Sequence, residues 1–262
     1  MQRDTLIAIG SGLGSAVLFL LVLSGNPIAL LLSYFGHLPL FLTGLWQGPK
    51  RLLVAAVAAC SALVLLGGLL PFTVFMIVFA GPAMLLTRMA LVIRKDENGN
   101  VAFLPSGIVV SAMAVMVATV MIFITGTLTA EGLDIQELIS KLLSQMYSEM
   151  GVPMTSDVQG LIGMFQVYFP AIAAVSWLMM LFANAAIAQA ILVRAGKNLR
   201  PTPRMATFAL PGWSLFAFAL AGFTVGFADG SLAYVARNVA VVLAVPFLFQ
   251  GLALVHGQAA RW

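Results

Sequence analysis

Runs of about twenty apolar residues, separated by short stretches that contain charge, proline or glycine, recur along the whole chain. A hydrocarbon core of about 30 Å is crossed by roughly 20 helical residues, so each run is long enough to span a bilayer. The eight runs lie at approximately Leu6–Leu23, Ile28–Trp46, Leu52–Leu70, Phe72–Ile93, Val101–Leu128, Leu161–Val193, Thr207–Ala228 and Leu232–His256. They predict an all-α fold, a polytopic transmembrane helical bundle of about eight segments, with residues 1–262 forming a single integral membrane domain.

The second run contains three residues that interrupt a helix, Gly36, His37 and Pro39. Proline removes a backbone donor, and the residue before it is biased away from helical geometry. We therefore expect this segment to be broken or re-entrant.

Charge is too scarce for a water-soluble fold. Only 22 of the 262 residues are Lys, Arg, Asp or Glu, and the mean hydropathy is +1.05. Ordinary soluble domains carry about 25% charged residues, which excludes soluble enzymes and nucleic-acid-binding proteins. The single cysteine, Cys60, lies in an apolar run and is expected to pack as a small hydrophobic residue.

The basic residues indicate the orientation. With a cytoplasmic N-terminus and eight crossings, eleven bases fall inside and only Lys141 and Arg237 fall outside. The eleven are Arg3, Lys50, Arg51, Arg88, Arg94, Lys95, Arg194, Lys197, Arg200, Arg204 and Arg261. Three acids also fall inside, Asp4, Asp96 and Glu97, and six fall outside, Glu131, Asp134, Glu137, Glu149, Asp157 and Asp229. Both termini are therefore expected in the cytoplasm.

The long outer loop at about 129–160 contains an amphipathic pattern. Asp134 and Glu137 have the spacing of a capping box, Gly151 and Pro153 are typical of a helix end, and the apolar residues between them recur at steps of three and four. These signals predict a helix at about Ile135–Met150. It could rest on the outer membrane face or on the bundle, form a lid over a pocket, or provide a docking surface for a partner.

The sequence shows no sign of catalysis. It contains no phosphate-binding loop of the form GxxxxGK[ST], so the chain by itself cannot be an ATP-driven pump. His37 and His256 are not accompanied by a metal-ligand pattern such as HExxH. We expect no enzyme activity, no metal and no cofactor. No Asp or Glu lies in the middle of a run, which also weakens an ion-coupled mechanism.

A stripe of polar residues lies within the sixth run. Gln166, Ala173, Trp177 and Asn184 share one helical face, and Pro170 lies in the same run. Asn238 and Arg237 lie in the last run. Such residues either bond neighbouring helices or line a small-molecule pocket that opens outward. Arg237 could snorkel, pair with Asp229, or contact an anionic ligand.

Two faces of small residues could allow helices to approach closely. Ala8, Gly12 and Ala16 recur at steps of four in the first run, and Gly222 and Gly226 do so in the seventh. Both faces suit either internal helix packing or an interface with a partner subunit.

The segment from Arg237 to His256, RNVAVVLAVPFLFQGLALVH, resembles the corresponding part of the YybS-like predicted membrane proteins, a bacterial family of unknown function. The asparagine-bearing sixth run and the glycine-rich first run are similar as well. That family is related to the S components of energy-coupling-factor transporters, which capture a small molecule outside the cell and rely on separate transmembrane and ATPase subunits. The resemblance implies a bacterial inner-membrane protein whose Ala8, Gly12 and Ala16 face meets a transmembrane partner. S components have fewer spans than the eight predicted here.

Two functional hypotheses follow from the sequence. The first is a small-molecule transporter, or an S-component-like substrate-binding subunit, with an outer ligand site at Gln166, Trp177, Asn184, Arg237 and Asn238. Its partners would be the lipid bilayer, the transmembrane and ATPase subunits and an unknown small molecule, with no nucleic acid. The alternative is a non-catalytic structural or assembly protein that binds other membrane proteins.

Overall fold

The computed structural model describes residues 2–24, 26–95 and 101–259. It is 83% helical with almost no strand, so the prediction of an all-α polytopic bundle is confirmed. Three charged residues used in the sequence analysis lie outside the described part: Asp96, Glu97 and Arg261.

Eleven α-helices are present in the described residues, α1 to α11 in chain order. They are α1 Gln2–Leu20, α2 Pro27–Ser33, α3 Leu38–Gln47, α4 Pro49–Gly67, α5 Leu69–Phe75, α6 Gly81–Ala90, α7 Ser106–Ala130, α8 Ile135–Glu149, α9 Ser156–Arg194, α10 Gly212–Phe227 and α11 Gly230–Ala259. Short 3₁₀ turns follow at Leu21–Ser24 and Met205–Thr207, and a π-helical turn at Met76–Ala80 joins α5 to α6.

Seven helical stretches in the described chain are long and apolar enough to cross a membrane. The difference from the eight predicted segments lies at Thr207–Ala228, where α10 has only 16 residues. That length gives about 24 Å of helix, which is shorter than the hydrocarbon core. The residues from Thr207 to Pro211 do not join α10 because Pro211 precedes its first residue.

The predicted break in the second segment is confirmed. α2 ends at Ser33 and α3 begins at Leu38, within a 21-residue stretch that still qualifies as one span. Pro39 has no N–H to offer the carbonyl of Phe35, and that carbonyl accepts instead from the N–H of Leu38 at 2.9 Å.

The π-helical turn in the fourth span was not predicted. It immediately precedes Gly81 and Pro82, and the N–H of Gly81 donates to the carbonyl of Met76, five residues earlier. π-Helical turns are rare in proteins, and those that occur are often found at functional sites. Pro82 also removes the N–H that would donate to the carbonyl of Val78 in a regular α-helix.

The predicted ends at Ile93 and Val101 are wrong, because these residues belong to a short antiparallel hairpin. β1 (Ile93–Lys95) pairs with β2 (Val101–Phe103), with Ile93 opposite Phe103. The fourth span ends at Ala90, before the charged pair Arg94 and Lys95, and α7 begins directly after Pro105.

The predicted amphipathic helix is present as α8. Asp134 caps it by accepting from the N–H groups of Gln136 and Glu137, at 2.8 and 3.2 Å. Gly151 has a φ of 71° and completes a Schellman motif with Val152, whose N–H donates to the carbonyl of Tyr147.

The chain forms two compact units. Unit 1 comprises residues 1–109 and 179–208, and unit 2 comprises residues 110–178 and 209–262. In unit 1, α1 packs on α4 so closely that a Cβ at Gly12 would overlap the carbonyl of Ala55. In unit 2, Ile135, Ile139 and Tyr234 form a buried cluster that attaches α8 to α11.

Candidate functional site

The break between α2 and α3 leaves backbone carbonyls that side chains of unit 1 satisfy. The carbonyl of Tyr34 accepts from Nδ2 of Asn184 at 2.8 Å, and the carbonyl of Gly36 accepts from Oγ of Ser15 at 2.5 Å. Ser11 likewise donates to the carbonyl of Pro39 at 2.5 Å. Irregular backbone at membrane depth is tolerated only where such partners exist. The break is therefore a built polar feature of unit 1.

His37 lies at this break and is completely buried. Its Nε2 is 2.8 Å from the carbonyl of Val78, to which Pro82 has no N–H to donate. Because a carbonyl only accepts, Nε2 carries a proton, and in the neutral ring Nδ1 is left as an acceptor. The ring stacks on Phe79 at 4.3 Å and on Phe41 at 6.0 Å between centroids.

Two buried acceptors at this place have no hydrogen-bond partner in the described chain. One is Nδ1 of His37, and the other is Oδ1 of Asn184. The amide nitrogen of Asn184 is fully used, since it donates to the carbonyls of Tyr34 and Met180. Buried acceptors without partners are rare in proteins, and each is a place where a donor from water or a ligand can bind. We call His37, Asn184 and the break at 34–37 the polar centre of unit 1.

The polar centre contains only one of the five residues predicted as a ligand site, Asn184. His37 was not predicted as a ligand residue, because a histidine close to a proline is typical of a polar residue at a helix kink. The signal was the sequence Gly36-His37-Leu38-Pro39, which places an ionisable residue in a segment that cannot remain helical.

The other predicted ligand residues belong to unit 2. Gln166, Trp177 and Arg237 are half-buried, and Asn238 is buried. Arg237 and Asp229 form no ion pair in the part of the chain that the structure describes. That all five residues form one ligand site stays a prediction.

Asn238 has a clear structural task in unit 2. Its Oδ1 accepts from the N–H of Ala171, and its Nδ2 donates to the carbonyl of Val167. The hydroxyl of Tyr234 donates to the carbonyl of Gln166, to which Pro170 has no N–H to donate. Two side chains of α11 thus replace the backbone bonds that the proline disturbs in α9.

The two small-residue faces differ in environment. Ala8, Gly12 and Ala16 are buried in unit 1, where Gly12 touches the backbone of Ala55, and this favours internal packing. Gly222 and Gly226 are exposed, and no described atom lies within 4 Å of a Cβ built on either glycine. A partner interface at Gly222 and Gly226 stays a prediction.

One end of unit 1 is strongly basic. Arg51 donates to Thr5 at 2.6 Å, the N–H of Leu199 donates to the carbonyl of Leu45, and Arg200 donates to the carbonyl of Ala90. These contacts bring together the ends of α1, α3, α4, α6 and α9. The basic residues at or beside those ends are Arg3, Lys50, Arg51, Arg88, Arg94, Lys95, Arg194, Lys197 and Arg200. We call this surface the basic end.

Arg200 organises the basic end from within. It is buried, and its guanidinium donates to the carbonyls of Ala90 and Leu104 at 2.9 and 3.0 Å. Burial lowers the pKa of Arg200 below its ordinary value, although an arginine stays charged at any physiological pH. Its own carbonyl accepts from Gln189 and Asn198.

The residues described by the structure contain no group of three or more His, Cys, Asp or Glu that could hold a metal ion. No curated protein and no solved structure matches the chain significantly. A family model described as a predicted membrane protein matches residues 15–262, which is nearly the entire chain and includes the polar centre and all residues of the basic end except Arg3. The chain therefore belongs to the predicted membrane protein family DUF2232.

Proposed function

We propose that this protein is a small-molecule transport component of the membrane and that its polar centre binds the transported molecule. The observation that carries the proposal is the pair of unpaired buried acceptors, Nδ1 of His37 and Oδ1 of Asn184, beside a broken span. Burying an acceptor without a donor costs about 1–3 kcal/mol, so two such atoms in one region favour a site that a donor fills.

The backbone around the polar centre supports a transport role. Transporters commonly place substrate sites near the bilayer midplane, where spans are discontinuous. The break at residues 34–37 lies near the middle of the span Pro27–Gln47, and Val78 lies near the middle of the span Leu69–Ala90. A broken helix and a π-helical turn thus meet at His37.

The chemistry of the polar centre limits the ligand. Both free atoms are acceptors, so the ligand has to offer N–H or O–H donors. Phe41 and Phe79 stack on His37, which leaves its ring edge as the part that meets a ligand. We expect a small, largely apolar molecule with two hydrogen-bond donors.

The energy source would lie outside this chain, because its sequence has no nucleotide-binding motif. We therefore propose an S-component-like subunit of the YybS-like type in a bacterial inner membrane, working with separate transmembrane and ATPase subunits. The basic end of unit 1 would face the cytoplasm. Gln166, Trp177 and Arg237 would provide outer contacts on unit 2, whereas the amide of Asn238 is already occupied by its hydrogen bonds to α9.

The test is native mass spectrometry of the protein purified in mild detergent from cells that produce it. We expect a retained small molecule in the unaltered protein and its loss in His37→Phe and in Asn184→Leu, which each remove one free acceptor. Thr87→Val is the control, since it removes a buried hydroxyl without a partner from a residue outside the polar centre.

Melting curves in the same detergent separate binding from folding. Loss of the molecule from variants that melt as the unaltered protein does supports the site. Retention of the molecule by both variants, or its equal loss from Thr87→Val, would contradict it.

A second candidate is an assembly protein, and the surface of α8 favours it. Ile135 and Ile139 are buried against Tyr234, whereas Leu138, Leu142, Met146 and Met150 remain exposed. If α8 docks another membrane protein, Leu142→Glu should abolish co-purification of that protein and leave small-molecule retention unchanged. Unchanged co-purification would exclude α8 as the docking surface.

A further inference from the structure

A long apolar groove runs along the outside of unit 1, between α4 and the fourth span. Its volume is about 840 Å³. Both small and large residues line it, including Leu53 and Met84. We call the small lining residues, Ala56, Cys60, Ser61, Ala80 and Gly81, the floor of the groove. Arg88 is the one charged residue among those that line it.

The packing of unit 1 explains why the groove is open. α4 directs Ala55, Ala59 and Leu63 inward, and these residues are completely buried. The groove lies on another side of α4, where Leu53 and Val57 are more than half exposed. The glycine corner at Gly68, with a φ of 80°, returns the chain so that the fourth span lies alongside.

The π-helical turn helps to form the groove. Lining residues of the fourth span follow each other at steps of about four on both sides of the turn: Phe72, Met76, Ala80, Met84 and Arg88. From Phe72 to Arg88 the helix rises about 24 Å. One leaflet contributes about half of the 30 Å hydrocarbon core, so the groove is long enough for an acyl chain that reaches the bilayer midplane.

Arg88 marks the end of the groove at which a headgroup would lie. It is exposed in the last turn of α6 and has no hydrogen-bonding or ionic partner among the described residues. It also belongs to the basic end, where eight further lysines and arginines create an electropositive surface. A guanidinium binds phosphate oxygens in a bidentate way, and basic pockets between membrane helices bind anionic lipid headgroups.

We infer that this groove is a binding site for one anionic glycerophospholipid. An acyl chain lies along the small-residue floor, and the phosphate receives hydrogen bonds from Arg88. The site is separate from the polar centre, so neither proposal depends on the other.

The test is a titration of the detergent-purified protein with dioleoyl phosphatidylglycerol and, separately, with dioleoyl phosphatidylcholine, read by native mass spectrometry. We expect phosphatidylglycerol to bind more tightly, and Arg88→Gln to reduce that preference about fivefold, the weight of one basic residue near an anionic surface. Arg194→Gln is the matched control, because Arg194 is exposed at the basic end and does not line the groove.

A second variant tests the acyl-chain part of the site. Ser61 is exposed on the groove floor, so Ser61→Phe should fill the groove without disturbing the core. It should therefore weaken the binding of both lipids equally. Leu66→Phe is its control, because Leu66 is exposed on the same helix outside the groove. The inference is overturned if the unaltered protein does not distinguish the two lipids, if Arg194→Gln matches Arg88→Gln, or if Ser61→Phe binds lipid normally.

Discussion

Oδ1 of Asn238 accepts a hydrogen bond of 2.9 Å from the backbone N–H of Ala171, the residue that directly follows Pro170 in α9. The nitrogen of the same side chain donates to the carbonyl of Val167, so a single amide replaces the hydrogen bond that Ala171 and Val167 would form with each other. Such a replacement is stable in a bilayer only while both partners are present.

We expect Asn238→Ala to destabilise the protein by about 1–3 kcal/mol, because the N–H of Ala171 and the carbonyl of Val167 lose their partners. In a Pro170→Ala background the cost should be much smaller, since α9 can then form its own backbone bonds. Melting temperatures of the unaltered protein, the two single variants and the double variant in one detergent measure the coupling between Asn238 and Pro170. Equal costs in both backgrounds would show that Asn238 does not compensate for the proline.

Gly12→Ala should destabilise unit 1, because the added Cβ overlaps the carbonyl of Ala55. Overpacking of this kind costs about 1–3 kcal/mol. Gly10→Ala is the matched control, with no described atom near its Cβ and an expected neutral or slightly stabilising effect. The melting temperatures of both variants test this prediction. Equal melting temperatures would show that α1 and α4 are not in close contact at Gly12.

Arg200→Lys should destabilise the basic end, although it preserves the charge. A lysine has no planar fork with which to reach the carbonyls of both Ala90 and Leu104, and a lost hydrogen bond to a charged group costs about 1.5–3 kcal/mol. Arg204→Lys, at an exposed position, should melt unchanged. If the two variants behave alike, the bonds of Arg200 contribute nothing to stability.

The membrane topology can be tested with cysteines placed in a Cys60→Ala background. We expect Lys197→Cys to react with an impermeant maleimide only after the membrane is opened, since the basic end should face the cytoplasm. Glu149→Cys should react in intact cells. Asp229→Cys should also react there if α10 crosses the membrane, and labelling only after opening would show that this 16-residue helix does not.

The apolar runs determined the class of fold, because a chain this poor in charge can only be stable with its helices in lipid. The break at residues 34–37 and the cap of α8 were also predictable, since Pro39 and Asp134 act on the backbone within a few residues of themselves. Local chemistry of this kind needs no knowledge of the rest of the molecule.

Only the tertiary structure decided what the polar side chains do. Asn184 and Asn238 look equivalent in the sequence, yet Asn238 is fully used in supporting α9 while Asn184 keeps a free acceptor. His37 donates to the carbonyl of Val78, 41 residues away in the chain, a partner that only the packing of the second and fourth spans brings within reach. Hydrogen-bond partners that lie far apart in the chain are selected by helix packing, which the spacing of residues along one segment does not encode.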